Sequence, residues 1–301
     1  MKNTTLSLKV YFGLLLATLF WGLSFIGTKF LLSILNPITL VLIRLIISVV
    51  FLLVLGKLLG FLDKVKRKHW KWFFVLAFFE PFLYFMGETY GLMYVSATIA
   101  SIIISTIPLF VPWGGWFFFK EKVGWKNFLG ILISVVGVII TMLNKNMEFA
   151  ASLVGIALVG IAVVSAVAYT LIIRYIAYDY SALSIITYQN LLGLPFFIIL
   201  FLLVDLPNFS IEKITIELWG VLLLMGIFPS SLAYLFYTYA VREIGVTKTS
   251  VFVNLIPVIT AVASFLLFGE ELTLIKGIGI LVVLSGLYLS QSKIKKIKAI
   301  D

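Results

Sequence analysis

Ten runs of about twenty mostly apolar residues follow one another along this 301-residue chain, with little between them. A bilayer core about 30 Å thick takes about twenty residues of helix to cross. Inside it the backbone must satisfy its own hydrogen bonds, which a helix does within itself. The runs fall at 10–30, 37–58, 70–90, 97–119 and 125–143, then at 151–173, 182–203, 218–239, 249–268 and 274–291. Numbered as spans 1 to 10 in chain order, they predict an all-α polytopic membrane protein. Charged residues make up only 12% of the chain, against about 25% in an average soluble domain. So few charges cannot coat a water-soluble body of this size, and a soluble enzyme is excluded. The longest gap, Leu203 to Leu218, leaves no room for an extramembrane domain. The first run is too long for a cleaved leader and lacks a small-residue cleavage pattern, so it reads as a span.

Cysteine is absent and His69 is the sole histidine, which leaves no inventory for disulfides, thiolate chemistry or a zinc site of His and Cys. No metal and no cofactor are expected. No Walker-type phosphate loop is present either, so the chain by itself has no means of spending ATP and must draw on gradients. The net charge of +10 does not point to nucleic acid, because the basic residues sit in short segments between apolar runs. With the N-terminus inside, 18 Lys and Arg lie in cytoplasmic segments and 3 in external ones, with Lys29 and Arg44 inside spans, which accounts for all 23. Cytoplasmic loops retain positive charge. Both termini are therefore expected in the cytoplasm and the spans in the plasma membrane. The clusters at 64–71 and 293–298 read as topology determinants and surface anchors, with anionic lipid or a partner as the alternative.

Sliding the chain along itself by 149 positions brings Tyr90 onto Tyr239, Thr98 onto Thr247 and Ser101 onto Ser250. The same shift sets Ile107-Pro108 on Ile256-Pro257, Phe119 on Phe268, Glu121 on Glu270, Gly130-Ile131-Leu132 on Gly279-Ile280-Leu281 and Gly137 on Gly286. Apolar composition supplies Ile, Leu and Phe matches, but it does not place Pro, Glu and two Gly together. Each half then holds five spans, residues 1–146 and 147–301. An odd number makes the second half enter the membrane from the opposite side, so the repeats are inverted. Such repeats are a recurring design of secondary transporters, with a site near the midplane that opens to alternate sides.

With Trp21-Gly22 in span 1, Arg44 in span 2 and the repeated Pro, Phe-x-Glu and Gly pattern, the whole chain resembles the drug/metabolite transporter superfamily, EamA type. The resemblance implies two inverted five-helix repeats around a central cavity, and transport, often export, of amino acids and other small metabolites. Arg44 departs from a symmetric pattern, since Gln189 lies near the corresponding place in the second half.

Ionisable groups inside a bilayer cost roughly 2.5–3.5 kcal/mol at a helix centre and are functional candidates by default. Here they are Lys29, Arg44, Glu80 and Glu88, of which Lys29 and Glu88 lie near enough to helix ends to snorkel. Glu80 is the strongest, sitting near the middle of span 3 and preceding Pro81, which breaks the helical bonding. It could bind a substrate amine or carry a coupling proton, or be a structural carboxyl fixed by Arg44 or a tyrosine hydroxyl. Tyr84 and Glu88 follow on the same helix face and form with Glu80 one polar stripe, read as the lining of an outward pathway. Arg44 could clamp a substrate carboxylate or pair with Glu80 or Glu88. Trp21, Tyr188, Gln189 and Asn190 are placed in the cavity, and tyrosine faces beside a carboxylate suit an ammonium group. Pro108 and Pro257 are expected to be hinges, with Ser105 and Asn254 serving polar groups at the bends, and Asn254 is counted among the substrate-binding candidates. The other large aromatics, Tyr169, Trp113, Trp116, Tyr234, Tyr237 and Tyr239, read as packing or interface anchors. Glu121 and Glu270 read as structural carboxylates at helix N-termini, and the paired glycines as helix contacts or a homodimer face. The sequence expectation is a carrier of a small-molecule substrate, with a polytopic membrane enzyme acting on a lipid-phase substrate as the alternative.

Overall fold

The computed structural model describes residues 2–60, 62–119, 124–143, 152–245, 249–271 and 273–291. Glu121, Thr247 and the basic cluster at 293–298 lie outside them. The fold is helical and follows the expected spans. Span 1 is Lys2–Leu31, span 2 Pro37–Leu59, span 5 Trp125–Thr141, span 6 Leu153–Ile176, span 7 Ala182–Leu200 and span 10 Leu274–Gln291. Among the described residues six stretches, in spans 1, 2, 4, 6, 7 and 8, have the length and apolar composition to cross a membrane, and three shorter apolar helices lie in spans 5, 9 and 10. Span 3, with its two glutamates, is interrupted.

The four remaining spans are broken in matching places. Span 3 runs as Trp70–Ala77, a widened turn Phe78–Leu83, and Tyr84–Tyr94; span 8 runs as Ile216–Ile227, a widened turn Phe228–Leu232, and Ala233–Ile244. Span 4 is split into Ala97–Ile104 and Ile107–Phe119, and span 9 into a tight turn Val251–Leu255 and Ile256–Phe268. Each break has a proline at or just after it: Pro81, Pro229, Pro108 and Pro257. A proline lacks the N–H that would close the preceding turn, so carbonyls are freed at membrane depth and need other donors.

Inverted pseudo-symmetry is visible in which helices touch. Span 3 packs on span 6 as span 8 packs on span 1. Span 2 meets span 8 as span 7 meets span 3, and spans 4 and 6 pair as spans 9 and 1 do. Spans 2 and 7 pair with each other, and so do spans 5 and 10. The last pair accounts for the repeated glycines. A Cβ on Gly137 would stand 2.6 Å from the backbone N of Val283, and one on Gly286 would stand 2.6 Å from the carbonyl of Gly130. The two backbones touch along this seam, and the Ser134 hydroxyl donates to the Val283 carbonyl at 3.1 Å. These glycines are thus taken up by a contact within the chain, not by a homodimer face.

Candidate functional site

The breaks in spans 3 and 8 face each other across the centre of the bundle, and polar groups of neighbouring spans, most of them from the other half, satisfy them. Glu80 has extended backbone (φ −137°, ψ 112°) in mid-span, and the freed Phe79 carbonyl accepts from the Ser165 hydroxyl of span 6 at 2.6 Å. In span 8 the Pro229 carbonyl accepts from the Trp21 indole at 3.2 Å. The Ser230 carbonyl accepts from Ser48 at 3.1 Å and from the Asn190 amide at 3.2 Å. Asn190 also donates to Ser48 at 2.8 Å. Trp21 and Asn190, both expected at a substrate, therefore brace the backbone of span 8.

Between the two breaks lies a central cavity of about 60 Å³. Trp21 and Arg44 line it together with the stripe residues Glu80, Tyr84 and Glu88. The repeat is imprinted on its wall. At the 149-residue spacing Glu80 answers to Pro229, Phe85 to Tyr234, Glu88 to Tyr237, Ile104 to Val253 and Ile107 to Ile256, and every one of these ten is a lining residue. At a spacing of 145, Trp21, Ser24 and Phe25 of span 1 answer to Ala166, Tyr169 and Thr170 of span 6, again all lining. The cavity lies on the pseudo-two-fold axis, with acids contributed by the first half where the second contributes proline and tyrosine.

Within it Glu80 is buried and accepts a short hydrogen bond from the Tyr234 hydroxyl. Glu88 is also buried, not snorkelled, and its Oε2 has no hydrogen-bond partner. Arg44 forms no ion pair with either. It donates to Thr28 at 3.1 Å and to Ser230 at 3.1 and 3.3 Å. Its guanidinium carbon lies 4.9 Å from the centre of the Phe85 ring. Lys29 reaches back to the Leu92 and Val95 carbonyls, which end span 3.

Tyr188, Gln189, Asn190 and Asn254 do not line the cavity. The Tyr188 ring packs on Trp70 and Phe73 and its hydroxyl donates to the Asp63 carbonyl at 3.1 Å. Gln189 is buried beside Tyr169, behind the wall. Asn254 is half-buried between the lining residues Val253 and Ile256. Pro108 and Pro257 sit in the first turn of the second segment of spans 4 and 9, and the Ser105 hydroxyl serves the Ile102 carbonyl at 2.7 Å. Conversely, Tyr169, Tyr234 and Tyr237 are cavity residues that composition assigned to packing. The repeat register held the signal, since it puts Tyr237 on Glu88.

Polar contacts join the halves at both ends of the bundle. On the face of the 60–69 connection, Asp63 Oδ2 accepts from the N–H of Ser181, the residue that caps span 7, at 2.6 Å, and the Asp63 N–H donates to Ser184 at 2.7 Å. Burial pushes the Asp63 carboxyl up, but the bonds from Ser181 and Ser184 and the nearby Arg242 outweigh it and hold it below the ordinary value. On the opposite face Asp205 Oδ2 accepts from the Thr39 N–H at 2.9 Å and its hydroxyl at 2.6 Å. This supplies the cap that Asn36 does not give span 2. Each half thus sends an aspartate to the N-terminus of the other's second span. Also on this second face, Glu270 joins Thr98 at 3.0 Å and Lys276 at 2.8 Å. Burial raises the Glu270 carboxyl, but Lys276, Thr98 and Ser96 more than offset it and keep it low.

Comparison with known proteins matches the family described as "EamA-like transporter family" twice along the chain, over residues 8–143 and 153–291. An uncharacterised transporter of Archaeoglobus fulgidus is 29% identical over 288 residues, covering 94% of this chain and 98% of its own length. The uncharacterised transporter YetK of Bacillus subtilis is 27% identical, covering 74% of this chain and 68% of its own. A solved crystal structure superposes with a TM-score of 0.71 over 94% of this chain and 96% of its own, at 16% identity, and so shares the fold.

Proposed function

The chain belongs to the EamA-like transporter family, and from that premise we propose that it is a secondary carrier of the plasma membrane that exports amino acids or related small metabolites by alternating access. The observation that carries this reading is a cavity on the repeat axis whose polar groups are not used up by one another. Glu88 Oε2 stands without a partner, and Arg44 spends its bonds on two hydroxyls and no carboxylate. A guanidinium and two carboxyls around one small space fit the two ends of a zwitterion, with Arg44 taking the carboxylate and Glu80 or Glu88 the ammonium. The tyrosine faces of Tyr84 and Tyr234 complete an aromatic surround for the cation.

A space of about 60 Å³ holds a water or two and falls well short of the roughly 300–1,000 Å³ of small-molecule sites. Substrate entry therefore requires the walls to part. The breaks in spans 3, 4, 8 and 9 are where they bend, with Pro108 and Pro257 as hinges. With the N-terminus cytoplasmic, the Glu270 cluster is the external closure and the Asp63 clamp the internal one. Glu80 carries the coupling proton, exchanging it as the Tyr234 bond breaks and re-forms. Membership of a transporter family and relatives named as transporters support a carrier rather than an enzyme.

The test is uptake and efflux of labelled amino acids and amines in proteoliposomes, with and without an imposed pH gradient. Glu80→Gln is expected to abolish the response to the gradient while leaving substrate exchange. Normal gradient-driven transport by Glu80→Gln would remove Glu80 from coupling. Failure of the native protein to move any zwitterion or amine would overturn the substrate class.

A further inference from the structure

Three buried side-chain oxygens meet just behind the cavity, on its Asp63 side. Tyr169 lies seven residues before the end of span 6 at Ile176, Gln189 seven after the start of span 7 at Ala182, and Thr238 six before the end of span 8 at Ile244. Each therefore stands about 10 Å inside the same end of the bundle. Gln189 and Thr238 both lie against the Tyr169 hydroxyl, and none of the three residues is more than 4% exposed. Among the described residues the Tyr169 hydroxyl, Gln189 Oε1 and the Thr238 hydroxyl have no hydrogen-bond partner. A buried polar atom without a partner is costly, so three of them at one depth point to something that they hold together.

The set sits between Glu80 and the Asp63 end of the bundle. Tyr169 lines the central cavity together with Glu80. Its ring meets that of Tyr234 edge-on at 6.2 Å, and Tyr234 donates to Glu80. Along span 8, Tyr234, Thr238 and Arg242 follow one another at single-turn spacing on one face. Arg242 is exposed and lies near Asp63, so one turn of helix separates the buried set from the partner of Glu80 on one side and from water on the other. The other half holds a counterpart of different charge. At the spacings of 145 and 149 that relate the halves, Tyr169 answers to Ser24, Gln189 to Arg44 and Thr238 to Thr89. A guanidinium stands there in place of the neutral amide, and a fixed positive charge raises a barrier to a proton. The Asp63 side carries no such barrier in this set.

We propose that Tyr169, Gln189 and Thr238 bind one water that relays the coupling proton between Glu80 and the cytoplasm, which rests on the reading of Glu80 as the coupling carboxyl. A buried water takes two to four polar partners, and the set offers an amide acceptor and two hydroxyls. A metal cation held by three neutral oxygens would lack the counter-charge that burial demands. Glu80 meets Tyr84 and Glu88 from its own span, Arg44 from span 2, Tyr169 from span 6 and Tyr234 from span 8, so the hydroxyls of spans 6 and 8 are its way out towards Asp63. The Glu80 carboxyl gives its proton to a water in the cavity, and that water passes one to the Tyr169 oxygen. The Tyr169 hydroxyl gives its own proton to the bound water, which gives one to solvent beside Arg242. Every oxygen on the route ends with the protons it began with, Glu80 ends as a carboxylate and the solvent gains one proton. Glu80 thereby exchanges with the cytoplasm while the Asp63 contact still bars substrate.

The experiment moves the full chain in lipid membranes from light to heavy water in an infrared cell. The protonated-carboxyl band that disappears in Glu80→Gln is followed as deuterium replaces its proton. Thr238→Val keeps the shape of the side chain and removes the hydroxyl, and Gln189→Leu removes the amide. Both are expected to slow exchange of the Glu80 band about tenfold, the worth of one hydrogen bond lost from the relay. Thr238→Ser is expected to restore the native rate, and Thr89→Val, its counterpart in the other half, to leave that rate unchanged. Exchange at or above the native rate in both Thr238→Val and Gln189→Leu overturns the relay, as does equal slowing by Thr89→Val. So does slowing of native exchange by sodium chloride where choline chloride has no effect, which would make the set a cation site. A carboxyl band identical in the native protein and Glu80→Gln instead removes Glu80 as the proton carrier, and the relay falls with that reading.

Discussion

Asp205 offers the most direct test of how the halves are held together. In Asp205→Ala, the Thr39 N–H in the first turn of span 2 loses its cap, at a cost of about 1 kcal/mol. The Thr39 hydroxyl, only 3% exposed, loses its acceptor at 2.6 Å and is stranded, at a cost of about 1–3 kcal/mol. The sum is about 2–4 kcal/mol. Asp205→Asn keeps an acceptor oxygen and loses only the charge at the helix N-terminus, which is worth about 0.3–1 kcal/mol. Unfolding in mixed micelles by stepwise addition of sodium dodecyl sulfate, followed by tryptophan fluorescence, reads the difference. The Asp205→Ala and Thr39→Val pair should couple by more than about 0.5 kcal/mol, because the two groups share one bond. Asp205→Ala and Asp63→Ala should add independently, because about 24 residues of span 7 and its extension place them about 36 Å apart. The clamp is refuted if Asp205→Ala unfolds within about 0.5 kcal/mol of the native protein, or if the Thr39 pair is simply additive.

Gly137→Leu should lower the yield of folded protein sharply, since its Cβ meets backbone, not a mobile side chain, at 2.6 Å; size-exclusion recovery beside Gly277→Leu, where a Cβ meets nothing within 4 Å, reads the contrast. The Asp63 carboxyl is held below its unfolded value near 3.8, so its contribution is fully present above that pH and is lost as pH falls through the lower folded value. Native protein should therefore lose more stability between neutral pH and about pH 3 than Asp63→Asn, and equal losses would contradict the contact with Ser181. Arg44→Lys should impair transport by about tenfold or more, because an ammonium cannot hold Thr28, Ser230 and a substrate carboxylate in one planar fork; unchanged initial rates in proteoliposomes would show that the fork is not used.

The fold was largely legible in the chain. Uninterrupted apolar runs in a chain with few charges admit only membrane helices, and the 149-residue register carried both the pairing of halves and their inversion. That same register, taken through spans 3 and 8, already set Tyr237 opposite Glu88, so the tyrosines of the cavity were within reach of sequence. What it did not reveal was partnership. Periodicity at about 100° per residue fixes which residues share a face of one helix, and so it grouped Glu80, Tyr84 and Glu88 correctly on one lining. It says nothing about which other helix that face meets.

Only the packing decided that Arg44 bonds to hydroxyls and not to Glu80 or Glu88. It also turned Tyr188 to Asp63 and Trp70, and buried Glu88 where a helix-end glutamate could have snorkelled. The aspartate clamps were invisible for the same reason. Asp63 and Asp205 read as loop residues until the inverted halves bring each to the N-terminus of a helix over a hundred positions away. A sequence writes the local turn of each helix and the composition of its faces. The bonds across the bundle depend on interhelical approach, and that is set by small residues and broken turns acting together in three dimensions.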